Sequence, residues 1–332
     1  MRNLITDVRG VLVGNAHDPV AATGVTVALF DRSTVTSVAI LGGAPGTRDT
    51  ALLEPEMSNR GVDAITLSGG SVWGLAAADG VLSVLAAQGR GFPVGGLLVP
   101  IVPQAILFDL VNGGDKPWTN GSREAPYRGL GGLATQQAGL DFPLGTTGAG
   151  FGATTQNLKG GLGSASARAA TGHVVGALVA VNAVGSATIG NGPHFWAGAY
   201  EQGHEFGGLG WPAAIKPDDL ALRYKGGPGA NTTIALVATD AKLTKAQCKR
   251  LALAAHDGLG RALRPVHAPL DGDVVFAAAT GREGARPDAF ALTALCAAAA
   301  DVLARAVARG VHAATALPFP GAKPSWRDRF GS

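Results

Sequence analysis

The run Ile234-Ala235-Leu236-Val237-Ala238 is apolar throughout, so whatever this chain folds into must cover a buried strand there. A Pro/Gly loop, GGPGA, delivers Asn231-Thr232-Thr233 directly into that strand. Asn231 suits a turn and threonines suit a strand start, which is one reading of the tripeptide. The other is that the Asn231–Thr232 peptide bond breaks itself. Thr232 would then carry a free α-amine beside its hydroxyl, a nucleophile and its base in one residue.

The rest of the composition bears on that choice. Of 332 residues, 46% are hydrophobic and only 15% charged, enough for a thick core in one large domain or two ordinary ones. The 50 glycines are dispersed rather than periodic, which excludes collagen and implies many tight turns and close backbone approaches. So few charges also suggest a surface partly buried against other subunits. The net charge of +3 comes from scattered basic residues with no aromatic interleaving, so no nucleic-acid footprint is present. The N-terminal MRNLITDVRGVLVGNAHD carries charges inside each apolar run and does not read as a signal peptide. No stretch of about 18 uncharged apolar residues escapes interruption, so no membrane span is expected. Cys248 and Cys296 lie in helix-like segments and fit a reduced, cytoplasmic setting as small core residues.

Along the chain, segments 24–30 and 37–41 are β-rich and read as a hairpin around a short polar turn. A strand at 64–67 leads through Ser68-Gly69-Gly70-Ser71 into a helix over 72–88. Segment 91–103 is strand-like, 112–126 a polar loop, 128–138 a helix, 145–163 glycine-rich and 173–184 an apolar strand. A helix over 244–263, a strand over 273–278 and a helix over 287–309 follow, and the Pro-rich tail is expected to be extended. Hairpins mixed with amphipathic helices favour mixed or antiparallel sheets covered by helices.

Several residues invite chemistry. Ser68-Gly69-Gly70-Ser71 leads a helix N-terminus where amides can meet an anion, but the full dinucleotide fingerprint and a Walker lysine are absent. None of the seven histidines is paired at helical ligand spacing, so no metal site is read from them. Asp271 and Asp273, two apart before a strand, share one face; one pKa rises unless cations or donors intervene. Lys159, alone in a glycine-rich uncharged region, is either a surface residue or a buried one of shifted pKa. Asn182, inside an apolar strand, needs partners if buried and could supply an oxyanion donor.

Taken in order, ITLSGGSVWGLAAADGV, LKGGLGSAS, LVAVNAVG, NTTIALVATDAKLTKAQCKRLA and PLDGDVVFAAATG resemble the P1 peptidase family of L-aminopeptidase/D-esterases, β-aminopeptidases and nylon-oligomer hydrolases. The resemblance spans nearly the whole chain. It implies a single α/β (α+β) domain, a four-layer α/β/β/α sandwich like that of the N-terminal-nucleophile hydrolases, with two stacked mixed sheets flanked by helices. It also implies self-cleavage between Asn231 and Thr232 into subunits 1–231 and 232–332. Threonine at the nucleophile position and the later Asp271/Asp273 pair look most like the nylon-oligomer (6-aminohexanoate oligomer) hydrolase branch. Lys159 and Asn182 match that branch's lysine and asparagine, and Tyr127 corresponds to a family tyrosine. The activity implied is cofactor-free hydrolysis of short amides or peptides through an acyl-enzyme. In it Thr232 is nucleophile and base, Asn182 helps hold the oxyanion, Lys159 polarises Thr232 and partly neutralises the aspartates, and the aspartates orient Thr232. The implied partners are a small amide substrate and further copies of the chain, as a tetramer of cleaved pairs. Two alternatives stand beside this. Thr239-Asp240-Ala241 after the strand also resembles the ornithine acetyltransferase family, which passes the acyl group to an amine; an inert binding protein on the same fold would remain uncut.

Overall fold

The computed structural model describes residues 1–226 and 231–331, so most of the Pro/Gly loop before Asn231 lies outside the described residues. The strands are β1 (Val11–Asp18), β2 (Thr23–Ile40), β3 (Gly46–Arg48), β4 (Val62–Ser68), β5 (Phe92–Val94), β6 (Leu97–Val99), β7 (Gln104–Ile106), β8 (Gly161–Arg168), β9 (Val174–Asn182), β10 (Thr232–Ala241) and β11 (Val274–Glu283). The helices are α1 (Ala77–Ala87), α2 (Tyr127–Gln136), α3 (Lys245–Ala262), α4 (Ala289–His312) and α5 (Trp326–Phe330).

Hydrogen bonding runs in the order β3-β7-β4-β2-β11-β10-β9-β8, with β1 beside β2 and β5–β6 a separate hairpin. The β10–β11 and β4–β7 pairs are parallel and the others antiparallel, so the sheets are mixed. The long strand β2 serves two layers. Its first half pairs with β1 and β4, and its second half, from Val35 to Ile40, pairs with β11. One apolar cluster, with Phe30, Ile65, Leu178, Leu236 and Phe276, fills the space between the layers. A second packs α3 and α4 on the outer face of β9–β11, and a third packs α1 and α2 on the outer face of β2 and β4. The result is the expected α/β/β/α stack.

Side-chain alternation places the site within this stack. In β9, Val175, Ala177, Val179 and Val181 face the helices, as do Ala235 and Val237 in β10; Leu178, Ala180, Ile234 and Leu236 face the gap between sheets. Thr232 shares the parity of Ile234, and Asn182 that of Ala180. The two are cross-strand partners at the same end of the β9–β10 ladder.

Two sequence expectations are corrected here. The hairpin expected at 24–30 and 37–41 is one continuous strand, β2. Its polar middle, Asp31-Arg32-Ser33, is exposed where the strand passes from one sheet to the other. Asp31 pairs with Arg282, and Arg32 donates to the Thr280 carbonyl, so the polar residues mark a crossing rather than a turn. The tail is not wholly extended: Ser325 and Asp328 form a reciprocal capping box that nucleates α5, and the Trp326 indole donates to the Pro193 carbonyl at 2.9 Å.

The glycines of LKGGLGSAS have a packing role. A Cβ at Gly163 would stand 1.8 Å from the Ala306 carbonyl oxygen, and one at Gly161 would stand 2.3 Å from that of Gly310, so α4 lies directly against β8. Helix α4 is long and apolar enough to cross a membrane by length and composition alone, but its buried residues pack on β8, β9 and α3. Gly163→Ala is expected to push α4 from β8 and cost roughly 3 kcal/mol. Calorimetry should show a midpoint roughly 4 °C lower. Gly129→Ala, in α2 with open space around the added methyl, should melt no lower than wild type.

Candidate active site

Thr232 opens β10 and is buried, and its hydroxyl donates to the Asn231 carbonyl oxygen. The nucleophile candidate is therefore in contact with the peptide group that precedes it. Close approach from the other side requires Gly272, where an added Cβ would sit 2.8 Å from Thr232 Oγ1. The Asp-Gly-Asp run is clamped by the loop after β2. Ala44 N donates to Asp271 O at 2.8 Å and Gly42 N to Asp273 O at 3.2 Å; a Cβ at Gly42 would collide with that run, and one at Gly43 with Pro269 just before it.

Both aspartates are buried beside Thr232. Asp273 accepts from Thr233 N at 2.9 Å on Oδ1 and from His267 N at 3.0 Å on Oδ2, and its Oδ2 lies 2.8 Å from His267 Nδ1. Asp271 accepts from Gly272 N at 3.0 Å and, at 3.4 Å, from Val184 N. Burial, and then the charge of Asp273, push the Asp271 carboxyl well above the ordinary carboxylate range. The direction of the Asp271 shift agrees with the sequence expectation of a raised pKa in this pair.

Asn182 is fixed by its neighbours. Its Oδ1 accepts from Thr154 N at 3.0 Å, Lys225 Nζ at 3.1 Å and Asn112 Nδ2 at 3.3 Å. With the oxygen held in this way, the amide is oriented with Nδ2 as donor, and Nδ2 reaches Phe108 O at 2.9 Å.

Lys159 is buried, not on the surface. Its ammonium donates to the carbonyls of Gly150 at 3.0 Å, Ala153 at 2.9 Å and Gly160 at 2.9 Å. Burial pulls its pKa down to about 7, and the charge of Lys225 acts in the same direction against the pull of Asp109. Three carbonyl acceptors nevertheless require three N–H donors, so the cavity is built for the ammonium form. This corrects the expectation that Lys159 neutralises Asp271 and Asp273: its donors are all taken by backbone, and its carboxylate neighbour is Asp109. The cation that does feel Asp271 is Lys225, which also bonds Thr154 O and Oγ1, each at 3.0 Å. Burial lowers Lys225 to about 7 as well.

Tyr127 is buried at the start of α2, beneath Gly70 and edge-on to Trp118. Its hydroxyl lies 3.2 Å from Thr23 Oγ1, which donates to Asp109 Oδ2 at 2.6 Å. The structure thus brings Thr232, Asn231, Asn182, Asp271 and Asp273 together, with Lys159 one loop away, and joins Tyr127 to a separate network around Asp109. The Gly70 amide, at the helix start where an anion could be met, donates instead to the buried Asp109 carboxyl, on Oδ1 at 2.8 Å. Among the described residues, no cluster of three or more His, Cys, Asp or Glu side chains is placed to hold a metal.

Sequence reasoning missed Lys225, Asp109, Asn112, Thr154 and His267.

The α/β/β/α stack carries a buried threonine–carboxylate–amide cluster at the head of β10, and its family makes the chain an amide-bond hydrolase. Residues 3–323 match the model of Peptidase family S58, and the chain belongs to that family, as its motifs suggested. An aminopeptidase of Mycobacterium tuberculosis, named as uncharacterized, is 45% identical over 99% of this chain and 98% of its own length. The 6-aminohexanoate-oligomer endohydrolase of a Kocuria species is 27% identical over 82% of this chain and 74% of its own. Among solved structures, a Burkholderia β-aminopeptidase superposes with TM-score 0.69 at 22% identity, covering 100% of this chain and 92% of that one. The L-aminopeptidase D-Ala-esterase/amidase of Ochrobactrum anthropi, described as a variant of the N-terminal-nucleophile hydrolase fold, gives 0.69 at 19% identity, covering 99% and 92%.

Proposed function

We propose that this protein is a single domain that cuts itself between Asn231 and Thr232 and then hydrolyses short amides or peptides through a Thr232 acyl-enzyme. The observation that carries the reading is the contact of the Thr232 hydroxyl with the Asn231 carbonyl, on a strand end flanked by Asn182 and the aspartate pair. In maturation, Thr232 Oγ attacks the Asn231 carbonyl carbon, and the C–N bond breaks as the acyl group moves to oxygen. Water then hydrolyses the ester, leaving a carboxylate on Asn231 and an amine on Thr232. An α-amine has a pKa near 8, so an unprotonated fraction is available close to neutrality. That amine takes the hydroxyl proton as Oγ attacks the substrate carbonyl; Asn182 Nδ2 and a backbone N–H stabilise the oxyanion. The leaving amine receives the proton, and water releases the acid by the reverse sequence. Asp273 holds the Thr233 amide, and Asp271, whose carboxyl burial and the charge of Asp273 push upward, lies beside it where a substrate ammonium would be received.

The substrate class is that of relatives named as aminopeptidases and 6-aminohexanoate-oligomer hydrolases: short amides with a nearby ammonium group. We propose that it acts as a homo-oligomer of cleaved pairs, a tetramer, in the cytoplasm. Exposed Phe92, Val94, Leu97, Leu98 and Val99 on the β5–β6 hairpin support association, and the free cysteines Cys248 and Cys296 fit a reducing compartment. The test is the denatured mass of the purified protein with N-terminal sequencing. Two fragments are expected, the smaller beginning Thr-Thr-Ile-Ala-Leu. A single uncut chain in active preparations would overturn the reading. Product analysis with added amine acceptors separates hydrolysis from acyl transfer.

A further inference from the structure

A cavity of about 390 Å³ opens beside Asn182, walled by Asn112, Thr154, Lys225, Val111, Phe319 and Lys323 among others. It holds two lysines and, among its described lining residues, no aspartate or glutamate. Lys225 is committed: its three protons go to Thr154 O, Thr154 Oγ1 and Asn182 Oδ1. Lys323 is not. Its ammonium makes one hydrogen bond among the described residues, to Gln156 O at 3.0 Å, and keeps further N–H donors for a ligand. The two positive charges disfavour each other across the cavity, and the charge of Lys323 is one of the influences that lower Lys225. Val111 and Phe319 add an apolar wall. Like charges on the wall of an apolar-sided cavity are relieved by an incoming anion, and a carboxylate meets such ammonium groups through short, charge-assisted hydrogen bonds.

We propose that this cavity binds a substrate carboxylate carried on a short apolar segment, with Lys323 as its hydrogen-bond donor and the Lys225 amine on the same wall. The inference rests on the amide-hydrolase reading and deepens it: the substrates are short amides that end in a free carboxylate rather than amides at large. Lys225 ties the cavity to the chemistry, because the Asn182 side chain it holds lies across the ladder from Thr232.

The experiment uses the purified full chain. Hexanoate and hexanamide are titrated calorimetrically into wild type and Lys323→Gln. Hexanoate is expected to bind wild type at least roughly tenfold more tightly than hexanamide, as expected when a charge-assisted bond is gained, and the variant should lose that difference. Equal binding of both probes, or a preference for hexanoate that survives in Lys323→Gln, would overturn the proposal. A matched pair of short amide substrates, one ending in carboxylate and one in carboxamide, adds the kinetic readout. The preference should appear in KM and vanish in the variant. If neither substrate is cleaved by wild type while hexanoate still binds selectively, the hydrolase reading fails and the carboxylate site stands.

Discussion

Thr232→Ala is expected to yield a single 33.2 kDa chain with no detectable amidase activity. The substitution removes the hydroxyl that contacts the Asn231 carbonyl, so the peptide bond has no internal nucleophile and no α-amine is released. Both the nucleophile and its base are lost together, and a loss on the order of 10⁴-fold or more in kcat/KM follows from deleting a unit of this kind. The fold should survive, because the change removes only a hydroxyl and a methyl at a strand end. Thr232→Ser is the companion: it keeps an attacking oxygen and should still be cut, as denatured mass will report. An uncut alanine variant that retained full amidase activity would rule Thr232 out as nucleophile.

Lys159→Met is expected to lower stability by roughly 3–5 kcal/mol, as when one partner of a buried charged network is removed. For a domain of this size that is a fall in midpoint of roughly 4–7 °C. Three buried carbonyls, at Gly150, Ala153 and Gly160, lose their donor at once, and buried Asp109 loses a neighbouring cation. The segment so loosened carries Thr154, whose amide and side chain position Asn182 and Lys225. Cleavage at Asn231 should slow as a consequence. The combination separates two roles. A structural lysine gives a large drop in melting temperature with slowed maturation, whereas a lysine acting on Thr232 would leave an uncut chain that melts like wild type.

The sequence carried the layers well and the site unevenly. The apolar runs of β9 and β10 announce buried strands, and the helix read over 244–263 is α3, because such signals are local. Thr232, Asn182, Asp271 and Asp273 were legible for the same reason: each is a polar residue where its neighbours are apolar or strand-like. Lys225, Asp109, Asn112 and His267 were not, since each sits in a polar or irregular segment and gains its meaning only from partners brought in by the fold. Lys225 meets Asn182 across 43 positions of sequence, and Asn112 meets it across 70. The role of Lys159 was misread because a solitary charge signals that something is shifted, not which atoms receive its protons. The polar middle of β2 was taken for a turn because a strand that crosses between sheets surfaces briefly, and surfacing and turning look alike in sequence.

Thr232 stands at the head of β10, a strand with β9 on one side and β11 on the other. Free ends of proteins usually fray, since nothing holds the last residue from more than one direction. An end created here by peptide cleavage would have strands on both flanks and helices stacked outside, leaving it no slack in which to wander. The new amine would stay where the hydroxyl already points, and the two fragments would remain interleaved, one contributing β10 and β11 to a sheet whose remaining strands belong to the other.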